Sequence, residues 1–523
     1  MKQLQTVSVV SPGFYGLNTQ ESGLTLSNNF ASETDNSIID KFGRFGSRKG
    51  WVMQTTNGAT ALSGNTIDFM LEHVNTDDAH TTVVLSGGNN KIFKNGINQD
   101  LEDITPAGYT ISANNWKGAT LYDHAMLVQE GHEPLIYSEG NTPTIQTMSA
   151  LFPTQTQGYG TSYPKDVIAA YGRFWAHDGD TLYWSTDIAD PQFPTFSVVG
   201  TAGSINLASV VPNNVDRIVA LAAHNGFLII FCGRSIVIYK GADNTTDPNF
   251  ALSDVIAGTG CVARDSVQNT GTDILFLSDL GVRSLGRLIQ EKSLPMRELT
   301  KNVRDDLLYD LERERELTND LRSVRSVYSE ANAFYLLSLP NSSIVYCLDL
   351  RQPLEDGASR VSQWKGYKAT SLLRRLNRDL IIGKANGIGK YAGYTDNGES
   401  YQLTYRSHFI DAGEATTLKI LKQLAFSVLG GYGQTFTVEL RFDYKDTITP
   451  FYYTIPANNL SYFNDSAAQF NVSEFSSGVS LEKIKASLGG SGNTIQIGFV
   501  ATVNGSEVSV QKIDMFVKTG RMS

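Results

Sequence analysis

The sequence predicts a mainly β fold: an irregular β-propeller of six or seven blades with insertions, followed by a C-terminal antiparallel β-sandwich-like domain. Three observations lead there. Glycine is abundant, at 47 of 523 residues, and aromatic residues reach 10% while charged residues stay at 18%, below the usual share of about 25%. Gly, Asn and Asp accept the backbone angles of tight turns, and aromatic and β-branched side chains pack well on a pleated surface, so this composition favours many short strands. Between residues 61 and 400 short apolar runs recur around polar turns, and beyond 400 longer runs alternate with period two. A pair of β-sandwiches is the rival arrangement for the middle region, and the pattern alone leaves both open.

Residues 1–60, rich in Gly, Ser and Asn, read as an N-terminal arm and lead-in. The propeller-like body, 61–400, opens with Val83–Leu85 and Ile92-Phe93 across the turn Gly87–Asn90. Ala125–Val128 pairs with Leu135–Tyr137. Val167–Tyr171 and Phe174–Ala176 lead to Leu182–Trp184 across Asp178-Gly179-Asp180. The most apolar stretch, Ile218–Cys232, is broken by His224-Asn225-Gly226 and reads as two strands around a turn, with Ile236–Tyr239 next. Ile274–Leu277 and Val282–Leu285 flank Asp279-Leu280-Gly281. Phe334–Leu337 and Ile344–Leu348 flank Pro340-Asn341-Ser342. Leu380–Ile382 with Lys390-Tyr391 is the last unit. A lone hairpin is marginal in water, so such units must shelter one another, and radial packing leaves only short, protected edges.

Residues 298–320 break the β pattern and read as a helical insertion. Thr300 is placed to cap it, and Asp305 and Asp306 fall in its early turns, where negative charge is favoured. Val303, Leu307, Leu308 and Leu311 form an apolar stripe at helical spacing, opposite Arg304, Glu312, Arg313 and Glu314. Such a helix either docks on the sheet beneath it or meets a neighbouring subunit. In the second reading Arg304, Leu307, Leu308, Leu311 and Arg313 are the candidate docking residues. In the C-terminal domain, 405–523, the sets Leu424/Phe426/Val428, Phe436/Val438/Leu440/Phe442 and Ile495/Ile497/Phe499 point inward. Val508 and Val510 are out of phase with Ile513, Met515 and Val517, which predicts a β-bulge near Gln511 and Lys512.

Net charge is −10 at pH 7, which argues against a surface that wraps nucleic acid by displacing counterions. Cys232, Cys261 and Cys347 are odd in number and apolar in context, so no disulfide framework is expected. No stretch reads as a secretory signal, a membrane helix or an anchor. No catalytic signature is found, and no cofactor or metal is expected. His124 and His132, near Glu130 and Glu133, lack metal-site spacing. Gly258-Thr259-Gly260 lacks the third glycine and the helix of a dinucleotide loop. Gly387, Gly389 and Lys390 miss the phosphate-loop order. Asp243–Asn249 lacks the glycine and terminal glutamate of a calcium loop. Trp175, Tyr183 and Trp184 could form a sugar platform but read first as core.

Several stretches together resemble a known family: Ser11-Pro12-Gly13-Phe14; Asp40-Lys41-Phe42-Gly43-Arg44 leading to Arg48-Lys49-Gly50-Trp51; Tyr183-Trp184-Ser185 with Asp190-Pro191; Gly258-Thr259-Gly260-Cys261-Val262-Ala263; and Phe276-Leu277-Ser278-Asp279-Leu280-Gly281-Val282-Arg283. The chain is similar to the tail nozzle (tail tubular protein B-like) proteins of short-tailed bacteriophages, most clearly over residues 10–310. The resemblance implies a non-enzymatic virion protein of the phage tail, made in the host cytoplasm. It implies a homohexameric ring below the portal and the head-to-tail adaptor ring, with a distal spike, needle or tip protein and tail fibres as neighbours. Double-stranded DNA would be retained and then conducted without sequence-specific binding, past an inner wall of net negative or mixed charge. A receptor-binding or sugar-binding tail component with depolymerase activity is the alternative.

Overall fold

In the computed structural model, all residues are described except 1–4, 10–13, 24, 41, 76–81, 96–98, 112–114, 139–143, 188–193, 198–199, 212–215, 244–250, 287–297, 414, 457–459, 462–473, 476–480 and 523. Six self-contained antiparallel sheets form the blades of a β-propeller. The first four are meanders of four strands, beginning at Phe69–Val74, Lys117–Leu121, Asp166–Ala170 and Ile218–His224. The fifth has only three, Gln268–Asn269, Ile274–Ser278 and Gly281–Ser284. A further meander, Arg325–Ser329 to Arg360–Lys365, belongs to a larger sheet and fills the place beside the fifth. The last blade begins at Ser371–Arg374, which lies beside Phe69–Val74 and so closes the circle. The turns expected from sequence are those that join strands: Asn225 and Gly226, both at positive φ, link Ile218–His224 to Phe227–Cys232.

The segment expected as an arm and lead-in supplies strands to both bodies. Trp51–Met53 is the outermost strand of the last blade, antiparallel to Gly387–Tyr391, so one sheet is built from both ends of the propeller sequence. Arg48 anchors this closure. It is buried, donates to both carboxylate oxygens of Asp396 at 2.8 and 2.7 Å and to Asn36 Oδ1 at 2.9 Å, and lies over the rings of Tyr367 and Tyr401. Gly50 permits the approach, because a Cβ there would sit 1.8 Å from the Thr395 carbonyl oxygen. Beside them Lys384 is buried against Trp51 and Tyr367, and that burial lowers its pKa to about 7.

Phe30–Asp35 joins the propeller to the C-terminal domain. It pairs with Arg360–Lys365 on one side and Tyr401–Ile410 on the other, making one ten-stranded sheet that runs from a propeller meander to the edge strand Thr449–Thr454. An ion ladder follows it: Glu439 and Glu33 both pair with Arg406, and Lys365 pairs with Asp35 at 3.0 Å. A seven-stranded sheet, containing Thr417–Gly430 and Val508–Met522, packs on its far half. Leu424, Phe426, Val428, Phe436, Val438, Leu440, Ile497 and Phe499 are buried between them, as the alternation predicts. Phe14, Phe45, Tyr405 and Phe499 cluster in the same core. The predicted bulge is present: Ser427 opposes Lys512 and Val428 opposes Val510, so Gln511 is the extra residue and Ile513 returns to the core.

Arg48→Ala removes a buried cation and leaves Asp396 without its partner. It should lower stability by about 3–5 kcal/mol, read by equilibrium urea unfolding.

Candidate functional site: the sealed axial face and the docked helix

The first strands of the propeller units start at one end of the axis, and charged side chains converge there. The short turn Arg264–Ser266 precedes the fifth blade, whose first strand is only two residues long. Arg264 reaches from it across to other units: its guanidinium donates to the carbonyls of Asn115, Lys165 and Trp116 at 3.0, 2.6 and 2.9 Å. Arg325, at the start of Arg325–Ser329, donates to the Asp68 carbonyl ahead of the first blade. Asp265 ties these together, meeting Lys117 at 2.9 Å, Arg264 at 2.8 Å and Arg325 at 3.4 Å. Burial opposes its ionisation, but Arg264, Lys117 and Arg325 outweigh that and hold its carboxyl far below the usual range. Around this hub, Glu130 pairs with Lys165 at 2.8 Å and with Arg322 at 2.9 Å. The segment carrying Asp320–Ser323 lies between two shallow cavities of about 340 and 290 Å3, both lined by Asn115, Asp320 and Arg322.

That segment is the continuation of the predicted helix. A 3-10 turn, Lys301–Val303, leads into an α-helix over Arg304–Thr318, ended by Asn319 in the left-handed region. Thr300 does not cap it: its hydroxyl oxygen accepts the Val282 N–H at 3.0 Å. Leu299 donates to the Val282 carbonyl, and its own carbonyl accepts from Ser359, so the lead-in covers the outer edge of the three-stranded blade. Val303, Leu307 and Leu311 are buried against Leu275, Leu277, Leu337 and Tyr346, with Leu308 partly buried beside them. Arg304 pairs with Glu298 at 2.5 Å, and Arg313 is exposed.

Of the five candidate docking residues, Leu307 and Leu311 are therefore committed to the chain's own core, and Arg313 alone is fully on the outer surface. Glu314, read from the sequence as part of the solvent face, is instead buried. It accepts hydrogen bonds from Ser323, Asn341 and Ser342, holding the Pro340–Ser342 turn. Asp310 is likewise buried, on the Tyr346 hydroxyl at 2.6 Å. The outward face carries Tyr309 and Leu317, 71% and 59% exposed, neither of which lies on the apolar stripe.

The weaker motifs take structural roles. Gly260 packs against the chain at Cys232–Arg234, where a Cβ would sit 2.3 Å from the Cys232 carbonyl oxygen. Thr259 accepts from Arg283, bringing two of the family-like stretches together. Lys390 pairs with Asp379. His124 bonds Ser138 at one end of its hairpin, while His132 lies at the other. Trp175 and Tyr183 are buried, and the Trp175 and Trp184 rings lie 6.2 Å apart. All three cysteines are buried and free. Residues 244–249 of the acidic loop, with Ser11-Pro12-Gly13, Lys41 and Asp190-Pro191, lie outside the described residues. Among the described residues no group of three or more His, Cys, Asp or Glu could hold a metal, and no helix is long and apolar enough to cross a membrane.

No family model and no curated protein matches the sequence. Among solved structures, the computationally designed Ika8 protein aligns over 65% of this chain and 98% of its own, at 12% identity and a TM-score of 0.36. PorZ, a surface component of the type-IX secretion system of Porphyromonas gingivalis, aligns over 68% of this chain and 42% of its own, at 12% identity and a TM-score of 0.36. YCF48 bound to D1 peptide aligns over 62% and 92%, at 11% identity and a TM-score of 0.35. None of these likenesses bears on what the protein does.

His177 is buried beside Asp166, and burial lowers its pKa from 6.5 to about 4. Between those values the unfolded chain holds a proton that the folded chain refuses, so stability falls as pH falls through that window. Chemical denaturation across the window should show a slope of up to about 1.4 kcal/mol per pH unit from this group. His177→Gln should remove that share and leave the part due to His408, whose pKa burial also lowers to about 4.

Proposed function

We propose that this protein is a non-enzymatic wall subunit of a phage tail nozzle, several copies of which enclose a channel that retains and then passes double-stranded DNA. The resemblance of its motifs supplies the class. The observation that carries the reading is the ten-stranded sheet in which Phe30–Asp35 links a propeller meander to the C-terminal sandwich. Pairing through Phe30–Asp35, with a packed core on the far half of the sheet, ties the two bodies together, which suits a wall under internal pressure. DNA would run between subunits and not through a propeller, because each axis is closed by Arg264, Asp265 and Arg325. A net charge of −10 suits a conduit, since few phosphate contacts would hold the DNA in place. A virion location, a hexameric ring and neighbours at the adaptor and tip follow from the same resemblance.

The outward helix face is the docking element in this reading, through Tyr309, Arg313 and Leu317, and the buried leucines only hold it in place. A second reading, a sugar- or receptor-binding tail component, draws on Phe409 and Tyr444, whose rings stack at 4.0 Å with Tyr444 exposed. Release of oligosaccharide by the purified protein would favour it.

Electron microscopy of purified full-length protein or of tails should show six-fold rings. Tyr309→Ala combined with Arg313→Glu should leave the melting temperature within a few degrees and abolish ring or tail assembly. Rings that survive this double change would remove the helix from the interface, and a strictly monomeric protein in mature particles would end the conduit reading.

A further inference from the structure

The seven-stranded sheet turns one face to the core and the other outward, and the outward face is basic. Across three of its strands Lys483, Ser427 and Lys512 lie side by side, and Lys485, Ala425 and Asp514 form the next row. Their chain neighbours Ile484, Phe426, Ile513 and Met515 are buried, so these rows point away from the core. Lys422 is the extra residue of a register shift between Leu421 and Gln423, and Lys518 stands opposite Ile420. All five lysines are exposed. Among the described residues of these strands, Asp514 is the one carboxylate on this face, and it is taken up by Lys512 at 3.0 Å and the Ser8 hydroxyl at 2.8 Å. Glu482 turns the other way, to the Tyr453 hydroxyl at 3.0 Å. Lys422, Lys483, Lys485 and Lys518 make no ion pair with any described residue. In a chain where acids outnumber bases 53 to 43, four unanswered ammonium groups on one face are a concentration of charge that the fold itself does not use.

The partner that answers this charge is anionic, and the layout narrows its class. Every cation here is a lysine, a point charge on a flexible stem, so it holds a phosphate without demanding one orientation. Ala425 and Ser427 keep the floor between the lysines low, which lets a stiff rod lie close. Lys512 and Lys518 stand about 20 Å apart along their strand at about 3.4 Å per residue, and the three strands span about 10 Å across. Duplex DNA carries a charge every 1.7 Å or so of its axis, so one stretch of backbone reaches lysines at both ends of the face. Single strands are held by stacking on exposed aromatic rings, and Phe516, the ring on this face, is half-buried. A membrane surface takes up apolar side chains as well as charge, and Leu481, at one corner, is the one large hydrophobic exposed among the described residues of these strands.

We propose that the outer face of this sheet binds the backbone of duplex DNA, whatever its sequence, through Lys422, Lys483, Lys485 and Lys518. This deepens the conduit reading by naming the face turned to the DNA, and it rests on that reading for where the DNA is met. Ring assembly and DNA binding by the free protein are separate measurements, so either can fail alone. Four such contacts give a weak, salt-sensitive hold, compatible with a duplex that later moves. The test is fluorescence anisotropy of a labelled duplex of mixed sequence with the full-length protein, between about 20 and 200 mM salt. The logarithm of the binding constant should fall against that of salt with a slope of about −3.5, and a duplex of unrelated sequence should bind within about twofold. Lys483→Gln with Lys485→Gln should leave the melting temperature within a few degrees. It should weaken binding by about tenfold or more at the lowest salt and make the slope shallower by about 2. Lys240→Gln, which neutralises an exposed lysine of the fourth blade, should change neither. The proposal is overturned if no duplex binds at the lowest salt, if the double substitution leaves the slope unchanged, or if single-stranded DNA or anionic lipid vesicles bind more tightly than the duplex.

Discussion

The bidentate pair between Arg48 and Asp396 holds the two ends of the propeller together. A propeller is a ring of sheets, none of which is stable alone, and its weak point is where the last blade meets the first. Here the weak point is covered by Trp51–Met53, which takes the outer place in the last blade, and Arg48 sits immediately before that strand. Arg48 is buried among Trp364, Tyr367 and Tyr401 while Asp396 stays partly exposed, so the guanidinium is held from several sides. Arg48 also donates to Asn36, directly after Phe30–Asp35, the strand that joins the propeller meander to the sandwich. The circle and the ten-stranded sheet therefore share one anchor.

At the axis the same logic applies with several partners. The inner ends of the strands leave carbonyl oxygens at Asp68, Asn115, Trp116 and Lys165 with no strand to pair with. Two arginines from the other side of the ring supply the donors. Guanidinium suits this task because its five N–H groups can satisfy several carbonyls at once. Bringing Arg264 and Arg325 into a buried site is costly, and Asp265 offsets that cost by compensating both. The fifth blade is short where this turn enters, so the hub occupies space that a full first strand would fill.

The helix shows how a surface element is divided between holding and presenting. Leucines at its inner face meet the sheet, and Asp310 and Glu314 extend that inner face by bonding to Tyr346 and to the Pro340–Ser342 turn. What remains outside is narrow: Tyr309, Arg313 and Leu317 with flanking charges. Because Asn319 ends the helix and Asp320–Ser323 crosses the axial face directly afterwards, the position of the helix and the shape of the two axial cavities are mechanically linked.

Composition and periodicity were enough to determine that the chain is built of short strands, where most of its hairpins turn, which residues of the C-terminal strands face inward, and that a bulge falls near Gln511 and Lys512. Each of these depends on neighbours within a few residues, through turn geometry or the alternation of a pleat. The apolar stripe of the helix was legible for the same reason. The tertiary structure alone decided that Trp51–Met53 completes the last blade, that Glu314 is buried, and that Arg264, Asp265 and Arg325 meet Lys117 at the axis. Those contacts join residues from distant parts of the chain. A charged side chain reads as solvent-facing in a sequence because burial of charge is tolerated only when partners arrive from elsewhere, and no local pattern records where they come from.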